Sequence, residues 1–301
     1  MNFTKKHNRL SVGQLILCIL LGLFALICFL PLVLIVIVSF SAEASIAEKG
    51  FSFFPSEWSL EAYKYVGSFG GQIVQSYLVT IYETVVGTLL TLLLTSMFAY
   101  VLSRKAFRLR GFLSIFLLIT MLFNGGMLSS FIINSNVYHL RNNLLILVLP
   151  GAVSAFNCIV MRTFIQSNVP DSLVEAAKID GANEIYLFFK IVLPIMVPAM
   201  AANGFMTAVA HWNEWQTAFL YIDNPDFATL QLMLIRIEKN LSFLQERMEF
   251  LSAEELQMLN NAPTESARMA ILLCTLGPIM VAYPFFQKHF VKGITIGSVK
   301  G

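Results

Sequence analysis

The sequence predicts an all-α membrane protein with six transmembrane helices and with both termini in the cytosol. Hydrophobic residues make up 57% of the 301 residues and charged residues only 13%, where soluble domains contain roughly 25% charged residues. Several apolar runs reach the roughly 20 residues that a helix needs to cross the hydrocarbon core of a bilayer. The basic residues, in addition, fall mostly on one side of the resulting topology. Lipid is therefore the main solvent of this chain.

Six apolar segments have the length of a membrane-spanning helix. In chain order they are Leu15–Phe40, Ile73–Leu102, Phe112–Ile133, Leu144–Ile165, Lys190–Trp212 and Met269–Phe286. The chain is thereby divided into a cytosolic N-terminus (1–14), the first helix (15–40), an external segment (41–72), helices two to five (73–212), an external loop (213–268), the sixth helix (269–287) and a cytosolic tail (288–301). A cytosolic loop at 168–190 connects helices four and five.

The first segment has some features of a cleaved signal peptide. It follows the basic residues Lys5, Lys6 and Arg9, and Ala42-Glu43-Ala44 after it resembles a signal-peptidase site. Its apolar core, however, is 24 residues long, from Leu15 to Val38, and exceeds the 7–15 residues of a signal sequence. We therefore expect an uncleaved helix, with a signal peptide as the alternative.

Charge distribution orients the six segments. If the N-terminus lies inside, the cytosolic parts of the chain contain 13 of the 20 Lys and Arg residues, as the positive-inside rule requires. The short basic hairpin Arg104–Arg110 is the strongest single indicator, because short loops contribute most to orientation. Both termini are therefore predicted to face the cytosol.

Two of the predicted external stretches are long. The first, Ser41–Gly71, contains Phe51, Phe53, Phe54 and Trp58 among turn residues and could form a short interfacial or docking element. The second, 213–268, has apolar residues at helical spacings of three and four, namely Leu230, Met233, Leu234, Ile237, Leu241, Leu244 and Met248. We expect an amphipathic helix there that covers the external mouth or contacts a soluble partner.

The loop between helices four and five has more structure than a connection needs. Pro170 can open a helix, and Ser172-x-x-Glu175 has the spacing of a capping box. Ala176-Ala177 gives a small surface that a partner can approach closely, and Asp180-Gly181 supplies a residue that tolerates positive φ. A short surface helix that ends in a tight turn is predicted, and Asn183-Glu184 starts the helix that follows.

This loop resembles the EAA loop of ABC-importer permeases. The match consists of Glu175-Ala176-Ala177, Gly181 after three further residues, and Ile191-Val192-Leu193-Pro194 after nine more. The resemblance implies the permease fold of type I ABC importers and a coupling helix that fits a cleft in a cytosolic ATPase. The sites that it implies for coupling are Glu175, Ala176, Ala177, Asp180, Gly181, Leu193 and Pro194.

Within this motif, the resemblance assigns docking contacts to Glu175 and Asp180, close packing to Ala176-Ala177 and the turn to Gly181. The alternative is that Glu175 only caps its own helix and that Gly181 only ends one.

The resemblance extends to the carbohydrate-importer permeases of the maltose-system type. It is carried by Trp212-Asn213-Glu214-Trp215, by Ala262-Pro263-Thr264-Glu265 and by Phe285–Gly293. Phe123-Asn124-Gly125-Gly126 and the tail Gly293–Gly301 are similar to the branch for oligo- or polysaccharides. An imported carbohydrate is therefore the implied cargo, with a non-sugar solute as the alternative. The tail contacts the ATPase dimer in similar permeases, and a disordered terminus is the other possibility.

The same resemblance implies a set of partners. They are a second homologous permease subunit, two copies of a cytosolic ABC ATPase, an extracellular or periplasmic solute-binding protein and the lipid bilayer of a bacterial cell, with no nucleic acid. Because the chain has no GxxxxGK[ST] motif, it cannot hold nucleotide phosphates in a P-loop. We expect no cofactor on this chain and no catalysis by it, with ATP and Mg²⁺ bound by the partner ATPase.

Polar side chains at membrane depth are candidates for the substrate pathway, because they are costly there and face the bundle interior. A sugar needs planar hydrogen-bonding groups and an aromatic face. The candidates are Tyr82, Glu83, Asn124, Asn157, Asn203, His211, Trp212, Asn213 and Trp215. Each has an ordinary alternative, since Trp near a helix end anchors at the interface and a lone Asn or Glu ties two helices together.

Two other functional classes have less support from the sequence. A secondary transporter would use acidic or His relays near the midplane, for which only Glu83 and His211 qualify. An intramembrane enzyme would need a motif such as HExxH or GxSxG, and the sequence has neither.

The four cysteines all lie in apolar runs without a CxxC pair, so neither a disulfide framework nor a metal site is indicated.

Overall fold

The structure is a computed structural model that describes residues 12–246 and 264–298. The described residues form two compact units, of which one contains residues 12–69, 240–246 and 264–274, and the other contains residues 70–239 and 275–298. Within the described residues, the regular structure is helical apart from one isolated antiparallel bridge between Ser41 and Trp58.

The first unit begins with α1 (Val12–Ser39), followed by α2 (Glu43–Lys49) and α3 (Glu61–Ser68). Helix α1 confirms the predicted first segment and is apolar on all sides, as a helix in lipid is. The aromatic residues of the segment predicted to be external lie on the protein surface, with 84% of Phe54 and 63% of Trp58 exposed. The bridge at Ser41 ties this aromatic segment to the end of α1.

Glu43 in α2 caps the start of α13 (Glu265–Ser298), whose residues up to Cys274 belong to the same unit. Its Oε1 accepts hydrogen bonds from Thr264 Oγ1 (2.7 Å) and from the backbone N of Glu265 (2.9 Å). Its Oε2 accepts from the backbone N (3.2 Å) and from Oγ (2.9 Å) of Ser266. A carboxylate at this end is favourable, because the first N–H groups of a helix have no partner within the helix and carry partial positive charge.

Glu43→Ala is expected to destabilise the first unit by about 1–2 kcal/mol, the usual effect of losing a helix N-cap. The melting temperature of the purified protein in detergent should fall measurably. Glu48→Ala is the matched control, since it removes an exposed carboxylate of the same helix that accepts one long hydrogen bond from Ser56 (3.4 Å). Equal melting temperatures for the two variants would contradict the capping role.

The second unit is built around two long helices and a shorter one. Its elements are α4 (Gly70–Ser103), α5 (Arg110–Leu122), α6 (Gly126–Ile132) with a π-helical turn (Ile133–Val137), a 3₁₀ turn (Leu144–Leu147), α7 (Ala155–Asn168), α8 (Asp171–Ile179), α9 (Glu184–Tyr186) with a π-helical turn (Leu187–Val192), α10 (Leu193–Trp212), α11 (Gln216–Tyr221) and a 3₁₀ turn (Pro225–Phe227). Helix α12 (Leu230–Glu246) follows. Helices α4, α7 and α10 pack on one another and form the core.

The predicted third segment is two helices rather than one. Helix α5 ends at Leu122, and α6 leaves the break at an angle of 112° to it. Gly126 adopts φ +83°, and its N–H donates to Asn124 Oδ1 at 2.8 Å. This local turn replaces helical hydrogen bonds, and glycine makes it inexpensive.

The predicted fourth segment is helical over only part of its length. The chain turns at Pro150-Gly151, and α7 begins at Ala155 after Ser154 Oγ accepts a hydrogen bond from the N–H of Asn157 (3.4 Å). Its 14 residues span about 21 Å at 1.5 Å per residue, less than the roughly 30 Å of the hydrocarbon core. Helix α7 alone is therefore too short to cross the hydrocarbon core.

By length and composition, three described helices are long and apolar enough to cross a membrane, namely Val12–Ser39, Gly70–Ser103 and Glu184–Trp212. The number is four if the bent pair of α5 and α6 counts as one span. The number of six crossings and the cytosolic position of both termini stay predictions. Helix α13 extends beyond the predicted sixth segment in both directions and includes most of the predicted tail. Residues 1–11 and 299–301, and Ala262-Pro263, lie outside the described residues.

The helical pattern predicted in the loop 213–268 is confirmed by α12. Leu230, Met233, Leu234 and Ile237 are buried, as the spacing of three and four requires. Met248, the last position of the pattern, lies outside the described residues.

Candidate functional site

The short helix predicted in the loop 168–190 is α8. Val174 attaches it to the core, because only 5% of this side chain is exposed and Ala177 packs beside it. The predicted capping box is wrong, since the N-cap residue is Pro170 and Ser172 lies inside the helix. Asp171 in the first turn supplies the favourable negative charge instead.

The end of α8 is a Schellman turn around Gly181, as the sequence predicted. The N–H of Ala182 donates to the carbonyl of Ala177 (2.9 Å), and the N–H of Gly181 donates to the carbonyl of Lys178 (3.0 Å). Gly181 has φ +84°, which only glycine adopts without strain. Asn183 then caps the next helix by accepting from the N–H of Tyr186 at 2.8 Å.

The residues predicted to dock an ATPase lie on the open side of α8. Glu175, Ala176 and Asp180 are exposed, and Ala177 is half-buried on the core side. Leu193 and Pro194 of the same motif lie at the start of α10, where Leu193 packs against the core. Pro194 has no N–H to donate and crowds the preceding turn, which gives a reason for the wide π-helical turn Leu187–Val192 before it.

Two exposed apolar residues flank the Gly181 turn and were missed by the sequence analysis. Ile179 is 86% exposed and Ile185 is 70% exposed. A signal for Ile179 was available, because a residue five positions after the buried Val174 lies about 140° around the helix from it. The open surface of this loop is therefore apolar at its tip and acidic at Glu175 and Asp180.

Charged side chains surround a cavity of about 460 Å³ between α8 and the end of α4. Lys105 Nζ pairs with Asp171 Oδ2 at 2.7 Å, and Lys178 Nζ pairs with Glu184 Oε1 at 2.6 Å. The hydrogen bond from Lys105 lowers the pKa of the Asp171 carboxyl. Each of the two acids thus lies beside a basic partner, and the charges of the loop are locally balanced.

Two of the predicted pathway residues come together inside the bundle. Glu83 of α4 is 0% exposed, and its Oε1 lies 3.7 Å from Nδ1 of His211 in α10. Within the described part of the chain, neither oxygen of Glu83 has a hydrogen-bond partner. Gly87 gives room for the imidazole, because a Cβ added there would lie 2.7 Å from Nε2 of His211.

A cavity of about 800 Å³ lies beside this pair. It is lined mainly by apolar residues of α4, α10 and α13, and Trp212 is the predicted pathway residue that reaches it. The indole Nε1 of Trp212 donates to the carbonyl of Thr275 at 3.1 Å. Thr84 and Thr88 line the same wall.

The other predicted pathway residues have separate local roles. Tyr82 packs against the apolar cluster of the 3₁₀ turn Leu144–Leu147, and Asn124 accepts from Gly126 in the break between α5 and α6. Asn157 is half-buried in the first turn of α7, and Asn203 accepts from Thr207 Oγ1 at 3.3 Å. Asn213 caps the end of α10, and Trp215 packs edge-on against Phe219.

Among the described residues, no group of three His, Cys, Asp or Glu side chains is arranged to hold a metal ion.

Residues 90–296 match the family model described as "Binding-protein-dependent transport system inner membrane component". The chain is 39% identical to the polygalacturonan/rhamnogalacturonan transport system permease protein YtcP of Bacillus subtilis (strain 168), over 93% of this chain and 95% of that protein. It is 36% identical to Protein LplC of the same organism, over 93% and 92% of the two chains. A solved bacterial ABC transporter involved in the import of the acidic polysaccharide alginate has a similar chain, with a TM-score of 0.79 and 28% identity over 96% of this chain and 100% of that chain.

Proposed function

Because the chain belongs to the family of binding-protein-dependent transport system inner membrane components, we propose that it is a membrane-spanning permease subunit that imports an acidic oligo- or polysaccharide. Members of this family are transport subunits of the membrane, so the chain itself is a membrane transport protein. ATP is hydrolysed by separate ATPase subunits in this proposal.

The single observation that carries the coupling part of the proposal is the open surface of α8. This helix is held to the core by Val174, ends in a fixed turn at Gly181 and presents Glu175 and Ile179 outward. A partner with an apolar cleft and a basic rim would complement that surface, because it could bury Ile179 and pair with the exposed acids. An ATPase that closes on ATP would then move α8 as a rigid piece.

The cargo is proposed from the relatives and from the chemistry of the pathway. YtcP is named for polygalacturonan and rhamnogalacturonan transport, and the solved transporter imports alginate, so both act on uronic-acid polymers. A negatively charged cargo would be repelled by an accessible carboxylate. The burial of Glu83 against His211 therefore supports a helix-pairing role for these two residues, whereas Trp212, Asn213 and Trp215 are the better candidates for contact with sugar.

The working complex in this proposal contains a second permease subunit, two ATPase copies and an external solute-binding protein. The chain would cross a bacterial cell membrane six times, with both termini and α8 in the cytosol. In this topology, the bent pair of α5 and α6 would be one crossing. The predicted fourth segment, which is irregular before α7 and helical within it, would be another. Irregular backbone at membrane depth is tolerated where protein covers it.

The cargo class is tested by ATPase activity of the complete complex in liposomes. We expect that binding protein loaded with an acidic oligosaccharide stimulates ATP hydrolysis, and that neutral oligosaccharides stimulate it less. Stimulation by a peptide, a metal ion or a polyamine and by no sugar would overturn the carbohydrate assignment, and the permease assignment would be unaffected.

A further inference from the structure

We propose that Tyr100 and Glu184 form the link through which a displacement of α8 reaches the long membrane helix α4. This inference rests on the proposed coupling function of α8 and adds two residues that are not among the defining positions of the EAA motif. Glu184 is the first residue of α9, whose helix continues into α10, and Tyr100 lies near the end of α4.

The carboxylate of Glu184 joins three helices. Its Oε2 accepts a hydrogen bond from the Tyr100 hydroxyl at 2.5 Å, and its Oε1 pairs with Lys178 Nζ of α8 at 2.6 Å. A single side chain in α9 is thus bonded to α4 on one side and to α8 on the other. Hydrogen bonds to a charged acceptor are short and strong, and they fix geometry as well as distance.

Tyr100 is held in one position by its surroundings. Only 5% of the residue is exposed, and its ring lies 5.3 Å from the ring of Phe188. The guanidinium of Arg104 covers the ring at 4.6 Å, and its Nη2 donates to the Tyr100 hydroxyl at 3.3 Å. The hydroxyl therefore donates to Glu184 and accepts from Arg104, so that both of its hydrogen-bonding capacities are used.

The other ion pair between these elements is a weaker connection. Lys105 follows α4 and pairs with Asp171 of α8, but the two side chains are 79% and 62% exposed. Exposed ion pairs contribute little, because water competes for both partners. Lys178 and Glu184 are themselves 45% and 54% exposed, so the two connections differ at Tyr100, which is only 5% exposed and holds the Glu184 link to α4. The Lys105–Asp171 pair has no buried partner of this kind, which makes it the control.

Helix α4 can carry the motion further into the membrane. Tyr100 and Glu83 belong to the same uninterrupted helix and are 17 residues apart, which corresponds to about 25 Å along the axis. Glu83 contacts His211 of α10, and α10 continues from α9. A displacement of α8 would therefore be transmitted to both helices that enclose the Glu83–His211 pair.

Tyr100→Phe tests the link directly, because it removes the hydroxyl and keeps the ring against Phe188. The complete complex in liposomes is assayed for uptake and for ATP hydrolysis with the same binding protein and sugar. We expect the ratio of uptake to ATP hydrolysis to fall about tenfold. This is the change in an equilibrium constant that the loss of one hydrogen bond to a charged group produces. Glu184→Gln should give a similar loss, and the double variant should be no worse than either single variant.

Lys105→Gln is the control and should change this ratio by less than about twofold. A Tyr100→Phe complex with the wild-type ratio would overturn the link, and so would an equal loss in Lys105→Gln. Loss of ATPase co-purification in Tyr100→Phe would also overturn it, since the pair would then only support the docking surface. Absence of ATP-dependent uptake by the wild-type complex would overturn the proposed function itself and the link with it.

Discussion

Gly181→Val is expected to reduce ATP-dependent uptake at least about tenfold while leaving the chain folded. Gly181 has φ +84°, and a β-branched residue held there costs about 1–3 kcal/mol. A Cβ at this position would meet open space, so the cost comes from the backbone and not from a clash. The turn would relax, and the exposed Ile179 and Asp180 would leave the arrangement in which α8 contacts the ATPase in the proposed complex.

Two further variants separate this effect from a general loss of stability. Gly181→Asn should retain most of the uptake, because Asn tolerates positive φ better than other residues with a Cβ. Gly50→Val provides the matched control, since Gly50 also has positive φ (+69°) and open space around its Cβ but ends α2 in the other unit. Uptake lost equally in Gly50→Val and Gly181→Val would refute a specific role of the α8 turn.

Gly87→Ala is expected to destabilise the packing of α4 on α10, although alanine is the better helix former. The added Cβ would lie 2.7 Å from His211 Nε2 and 2.8 Å from Cε1, too close for any contact without a shift. Overpacking of this kind costs about 1–3 kcal/mol, which exceeds the gain of up to about 1 kcal/mol from replacing a helical glycine. A melting temperature lower by several degrees, with less assembled complex, is the expected readout.

The clash with His211 can be isolated by rescue. The double variant Gly87→Ala/His211→Ala should recover part of the lost melting temperature, because the ring that meets the new methyl group is gone. Gly204→Ala should lower the melting temperature less than Gly87→Ala. A Cβ added at Gly204 would meet Cδ1 of Leu92 at 2.9 Å, which is the far end of a flexible side chain and can move. Failure of the double variant to recover would mean that the two residues do not share this space.

The sequence predicted those elements whose signals are local. Three helices show this. Helix α1 is a uniform apolar run, α12 has apolar residues at helical spacing, and α8 begins after Pro170 and ends before Gly181. Each of these signals depends on neighbouring residues alone. The break after Leu122 was hidden, because the residues Asn124-Gly125-Gly126 lie inside an apolar run whose length favours one helix. Hydropathy reports how apolar such a run is and does not detect a break of the helix within it.

In the candidate site, too, the local features were predictable from the sequence and the long-range contacts were not. The exposed positions of Glu175 and Asp180 follow from the motif and from the helical period. The contact of Glu184 with Tyr100 joins residues 84 positions apart, and the cap that Glu43 gives to α13 joins residues more than 220 apart. Nothing in the local sequence of either partner marks such a contact, since any of several acids could have made it.

Uptake by reconstituted liposomes tests the central claim most directly. The measurement is the entry of a radiolabelled acidic oligosaccharide into vesicles that hold either this chain alone or the chain with its second permease, its ATPase and its binding protein. We predict uptake only by the complete complex and only with ATP, with loss of uptake in Gly181→Val. Uptake of the sugar by the chain alone, without an ATPase, would contradict its role as one subunit of an ATP-driven importer.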